Sequence, residues 1–160
     1  MQTLYLAWGS KRALLRAYME STLTNGEREP GDVLGRFAAL SARHVIEELA
    51  ALFGETAARS ALGWELYRDA SASDPAIAAD WTELQLLRRI TFAKILNMVP
   101  ASEYRTGLTR ASAADTAWAI ASPETYSLLT AKLNYTLAEY REWLSKTLIV
   151  VLLDKGPLHR

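Results

Sequence analysis

Residues 74–97 read DPAIAADWTELQLLRRITFAKILN, and this stretch settles the fold class. Asp74 carries the side chain of a helix N-cap, and Pro75 suits the first helical position, where a missing N–H is no loss. From there Ile77, Trp81, Leu84, Arg88, Thr91 or Phe92, and Ile95 recur at helical spacing. The segment reads as a helix from Pro75 to about Asn97. The rest of the chain shares its bias: of 160 residues, alanine and leucine supply 51 and valine and isoleucine 11, which favours helices over strands. The sequence predicts one all-α domain.

Working outward, Ser10 precedes KRALLRAYMESTL, with Leu14, Leu15, Tyr18, Met19 and Leu23 on one face, a capped amphipathic helix ending near Thr24. The polar run TNGEREPG (24–31) is a loop. Asp32 is expected to cap a helix to about Leu52, with Gly54 as its C-terminal cap, and a separate helix follows from Glu55 to about Ala70 despite Gly63. Downstream of Asn97, MVPASEYRTGLTRA (98–111) has neither helical nor strand period and is expected to be the most mobile segment. Ser112 with Asp115 resembles a capping box, Ser122–Pro123 interrupts and restarts the next helix, and Thr136 with Glu139 opens a last helix to about Leu153. The tail DKGPLHR (154–160) is expected to be flexible.

Composition excludes several chemistries. There is no cysteine, and the two histidines, His44 and His159, are too few for a three-histidine zinc site or the paired Glu-x-x-His motifs of di-iron bundles. No phosphate-binding loop or nucleophile elbow appears. Ser41 near His44 lacks a third group or oxyanion device, so no enzyme and no cofactor is expected. Eighteen basic residues balance eighteen acidic ones, which argues against a chain-wide nucleic-acid surface. The exception is local, since before Glu20 the only charges are Lys11, Arg12 and Arg16. With neither a membrane-length apolar run nor a secretion signal, a cytoplasmic location is the default.

The segment Thr3-Leu4-Tyr5-Leu6-Ala7-Trp8-Gly9-Ser10-Lys11, followed by Ala13-Leu14-Leu15, resembles the end of the helix-turn-helix in TetR-type (TetR/AcrR) bacterial transcription regulators. Ala7 stands where many members have His, and Trp8 replaces the usual Phe. Near the other end, ADTAWAIASPETYSLL (114–129) and YREWLSKTL (140–148) resemble the last helices of the same family. The resemblance implies an antiparallel helical bundle that forms a homodimer through its last helices. It divides the chain into the end of a recognition helix (1–9), an effector-binding and dimerisation domain (10–153) and the tail. Thr3 and Tyr5 fall on positions that commonly touch DNA, and Lys11 on one that commonly binds phosphate. About two further helices are expected ahead of Met1, so operator DNA is a partner only of a full-length protein. The implied function is a DNA-binding regulator, a repressor, released by a small apolar or amphipathic effector. The alternative is a DNA-independent helical protein that dimerises or binds a small ligand.

In that architecture the middle helices enclose the effector. Three apolar stripes carry a polar centre: His44 among Val33, Phe37, Leu40 and Ala51 or Leu52; Glu65 among Ala58, Ala61, Leu62 and Leu66; and Arg88, with Gln85 beside it, on the Pro75 helix. A buried charge needs a partner, so these centres either pair with each other, Glu with Arg and His44 with a carbonyl, or meet a ligand. The pocket candidates are Phe37, Leu40, His44, Trp64, Glu65, Trp81, Gln85, Arg88 and Trp118, while Arg89 is expected to face solvent. The last helix carries Leu137, Tyr140, Leu144, Leu148, Val151 and Leu152, and Trp143, Thr147 and Val150 widen its apolar sector beyond one core face. Either it is a central helix covered by its own neighbours, or a second copy covers it. The dimer candidates are Trp118, Tyr126, Leu129, Leu137, Tyr140, Trp143, Leu144 and Leu148.

Overall fold

The computed structural model describes residues 9–24 and 34–153. The expectations for Thr3, Tyr5, the loop after Thr24, the Asp32 cap and the tail from 154 lie outside them. The described residues are helical, with no β-strand among them. α1 (Lys11–Thr24), α2 (Ala42–Ser71) and α3 (Pro75–Leu96) precede a 3₁₀ turn, Ala101–Glu103. α4 (Arg110–Ile120), α5 (Pro123–Ser127), a π-turn at Leu128–Lys132 and α6 (Leu137–Leu152) follow. No helix among the described residues is long and apolar enough to cross a membrane.

Several helix starts follow the caps in the sequence. Ser10 Oγ accepts from the Ala13 N–H, and Asp74 accepts from the N–H groups of Ala76 and Ile77 ahead of Pro75. Ser122 accepts from the Thr125 N–H, and Thr136 with Glu139 forms a reciprocal capping box. Each satisfies an orphan donor of the first turn.

Other boundaries differ. The helix expected from Asp32 to Leu52 is interrupted: the N–H groups of Phe37, Ala38 and Leu40 bond three residues back, and Ser41 caps a new helix at Ala42. Gly54 caps nothing, because α2 runs through both Gly54 and Gly63 for 30 residues. Their smallness serves packing instead. A Cβ on Gly54 would lie 2.6 Å from Arg141 Cγ of α6, and one on Gly63 would collide with Met19 Sδ of α1. Ser112 is the third residue of α4 and Thr109 its cap, each side chain bonding the other's backbone N–H.

The segment expected to be mobile is tied to the bundle. Tyr104 donates its hydroxyl to the Leu96 carbonyl at 2.7 Å, and its backbone forms an isolated antiparallel bridge with Leu153. The Arg105 N–H donates to the Leu152 carbonyl and its guanidinium to that of Val150. Burial pushes the Tyr104 phenol up to about 12.

Two apolar cores form along α2. The larger gathers Val45, Ile46 and Leu49 of α2, Phe92, Ile95 and Leu96 of α3, Ala113, Ala114 and Ala117 of α4, and Tyr140, Leu144, Leu148 and Leu152 of α6. The alanines let α4 approach closely. The smaller core joins Leu15 and Met19 of α1 to Trp64, Tyr67 and Ala70 of α2 and Ile77 of α3. Across its edge, buried Asp80 of α3 accepts two hydrogen bonds from Arg12, both 2.7 Å, and one from Arg16 at 3.0 Å. The Arg12 hydrogen bonds, with the charge of Arg16, hold the Asp80 carboxyl below its ordinary range against the opposing effect of burial. The basic cluster at the start of α1 is therefore not unopposed: Arg12 and Arg16 share a carboxylate, and Lys11 is exposed beside them.

Candidate functional site

A cavity of about 270 Å³ lies where the end of α1, the middle of α2, α3 and the α4–α5 junction meet. Leu23, Leu52, Phe53, Ala57, Leu84 and Leu87 make most of its wall apolar, and Trp64 and Pro123 complete the apolar side. The α2 residues of the wall, Leu52 and Phe53, then Thr56 and Ala57, then Ser60 and Trp64, share one face because they recur every three to four positions. Phe53 is further fixed by stacking on Phe92, ring centroids 3.9 Å apart.

The polar residues of the wall are Thr56, Ser60, Thr91 and Arg88. Each hydroxyl gives its proton to the carbonyl four residues back: Thr56 to Leu52, Ser60 to Thr56 and Thr91 to Leu87. Ser60 also accepts from Trp64 Nε1 at 3.1 Å. No hydroxyl proton in the wall is therefore left for a ligand.

Arg88 is different. Its Nη1 donates to the Ala121 carbonyl and its Nη2 to that of Trp118, both 3.0 Å, and its Nε donates to Gln85 Oε1 at 3.3 Å. The two carbonyls end α4, so the guanidinium caps that helix and meets the negative end of its dipole. A guanidinium has five N–H groups, and these bonds occupy three. It also lies over the Trp118 and Phe92 rings, 5.2 and 5.7 Å from their centroids. No carboxylate among the described residues pairs with it. Burial pulls its pKa down to about 10, partly opposed by the charge of Glu124, and leaves it cationic at neutral pH.

Of the residues expected to form the pocket, Trp64 and Arg88 line this cavity. Gln85 orients the Arg88 Nε, and Trp118 supplies a carbonyl and a ring face to the same guanidinium. Glu65 and Trp81 sit on the other side of Trp64: Glu65 accepts from Ser127 Oγ at 2.8 Å, and Trp81 meets Trp64 edge-on with centroids 5.2 Å apart. Glu65 and Arg88 thus do not pair with each other. Phe37 is buried in the larger core, while Leu40 is exposed.

His44 has left the interior. Its side chain is 67% exposed, in the first turn of α2, with Nδ1 2.9 Å from Ser41 Oγ and Nε2 3.8 Å from Glu47. The stripe joining Phe37 to His44 assumed one continuous helix, and the turns before Ser41 break its phase. Arg89 is exposed and pairs with Asp115 at 2.6 Å. Phe53, Thr56, Ser60 and Leu87 were missed by the sequence reading, although their spacing on α2 and α3 carries the signal.

The dimer candidates divide in two. Tyr140, Leu144 and Leu148 are fully buried within their own chain and offer no outer face. Tyr126, Leu129, Leu137, Trp143 and Trp118 are half-buried. Tyr126 packs edge-on against Tyr140, centroids 4.9 Å apart. Beyond them Leu128, Leu133 and Val150 are exposed. The inner face of α6 is thus a core face, and its wider apolar sector points outward.

A second cavity of about 300 Å³ adjoins the first and shares Leu23, Leu84 and Leu87 with it. Tyr67 reaches its wall with a hydroxyl that is buried and has no hydrogen-bond partner, and burial raises that phenol's pKa. No cluster of metal-ligating side chains occurs among the described residues. Compared with protein-family models, curated proteins and solved structures, the chain matches none.

Proposed function

We propose that the chain is the effector-binding and dimerising body of a TetR-type transcription repressor. One observation carries this reading: an apolar cavity with a single carboxylate-free cation in its wall, closed on one side by Leu23 near the end of α1. α1 follows the segment 1–9, which resembles the end of a recognition helix. A small apolar or amphipathic effector that favours one placement of α1 thereby biases the spacing of two DNA readers in a dimer. The exposed Leu128, Leu133 and Val150, with half-buried Trp143, support a second copy as the cover of the outer α6 face.

The engagement of Arg12 and Arg16 by Asp80 favours a second reading, a ligand-binding helical protein that does not touch DNA. Passing genomic DNA fragments over the immobilised full-length protein separates the two. Retention at low salt, with fragments released by a compound that also quenches Trp64 fluorescence, supports the regulator. Failure to retain any fragment across the salt range leaves the second reading.

A further inference from the structure

We infer that the cavity takes a monocarboxylate with an apolar body, its carboxylate received by Arg88 and its body lying against Phe53, Leu84, Leu87 and Trp64. The inference rests on the ligand-binding reading and holds whether or not the protein reads DNA. Three observations combine. First, the wall offers apolar surface and hydroxyls whose protons are already given to backbone carbonyls, so those hydroxyls have no donor for an anion. Second, Arg88 lines the same cavity and keeps two N–H groups beyond its bonds to Gln85, Trp118 and Ala121. Ala121 also lines the cavity, which places the guanidinium at its α4–α5 end.

Third, charge is unbalanced there. The carbonyl end of a helix carries about half an elementary charge, so capping α4 leaves a guanidinium part-neutralised. Two of its N–H groups are also left beyond its three bonds. A carboxylate supplies the acceptors and the negative charge together, in the planar geometry a guanidinium matches. A neutral amphiphile supplies neither, and a dianion would bring a second charge to an apolar wall that has nothing to receive it.

The test uses straight-chain and aromatic acids from hexanoate and benzoate to dodecanoate and naphthoate, each beside the alcohol of the same skeleton, with binding read by calorimetry. At least one acid should bind about 10–100-fold more tightly than its alcohol, the range expected of a charge-assisted hydrogen bond. Arg88→Gln should bring acid and alcohol together, and Arg88→Lys should restore part of the preference. Ala57→Phe, which fills the cavity from α2, should abolish binding of both. If acids and alcohols bind equally and Ala57→Phe blocks both, the carboxylate assignment is overturned and the ligand-binding reading stands. If no member binds, both are overturned. Because Arg88 also caps α4, Arg88→Gln is expected to lower thermal stability. A helix cap alone would move that midpoint and leave the acid-to-alcohol ratio unchanged, a result that also overturns the assignment.

Discussion

The larger and smaller cores share α2 but are sealed in different ways. Twenty buried residues close the larger core, drawn from the segment before α2, from α2, α3, α4 and α6 and from the connections beside them, and the connection between α3 and α4 is pinned by Tyr104 and Arg105. Six residues make the smaller core, and α1 contributes two of them, Leu15 and Met19. What the smaller core lacks in apolar area it replaces with specific contacts, the glycine notch at Gly63 and the two arginines on Asp80. Apolar burial is non-directional and scales with area, whereas an arginine–carboxylate fork fixes one register and one angle. α1 is thus the element held by position more than by mass, and its Leu23 forms part of the cavity wall.

The comparison breaks most completely at the larger core. Leu144→Ala removes a fully buried side chain where α6 meets α2, and should lower unfolding free energy by about 2–5 kcal/mol, read by denaturant titration with every helix lost together. A loss confined to α6 would show that this core is not one cooperative unit. Gly63→Leu comes next. The new side chain collides with Met19 and Tyr18, and overpacking of this kind costs about 1–3 kcal/mol. Amide exchange should speed up along Lys11–Thr24 while α6 keeps its protection; equal acceleration in both would mean that the two cores open as one.

Asp80→Asn should have the smallest effect at neutral pH and the clearest pH signature. Because the Asp80 carboxyl is held below its ordinary value of 3.8, its contribution is complete above that value and is lost as pH falls through the lower value it has in the folded chain. Protection of α1 should therefore fall on acidification in the parent protein and stay level in the Asn variant. The depressed carboxyls of Asp115 and Glu139 lie on α4 and α6, so a readout resolved to α1 isolates Asp80.

Much of this arrangement was legible in the sequence wherever a local rule decided the outcome. Ser10, Asp74 with Pro75, Ser122 with Pro123, and Thr136 with Glu139 each satisfy a backbone donor within three residues, so no tertiary information was needed. Gly54 and Gly63 were misread or merely tolerated because their reason lies on other helices, Arg141 in one case and Met19 in the other. The site shows the same division. Arg88 stood out as a charge on an apolar stripe, but His44 stood out equally, and only the break before Ser41 separates them. That Arg88 ends α4, and that Asp80 takes up Arg12 and Arg16, are pairings across at least 30 residues of chain that periodicity does not encode.

The unbroken course of α2 also has a hydrodynamic consequence. At 1.5 Å per residue its 30 residues make a rod of about 45 Å. A compact sphere of 160 residues would have a diameter of only about 40 Å. α2 therefore spans the full breadth of a single copy, and so small an excess over a sphere adds little friction to a particle of 17.8 kDa. On a sizing column a monomer should therefore run near its mass and stay separate from a dimer. Light scattering, which weighs the particle instead of timing it, is the measurement that counts the copies.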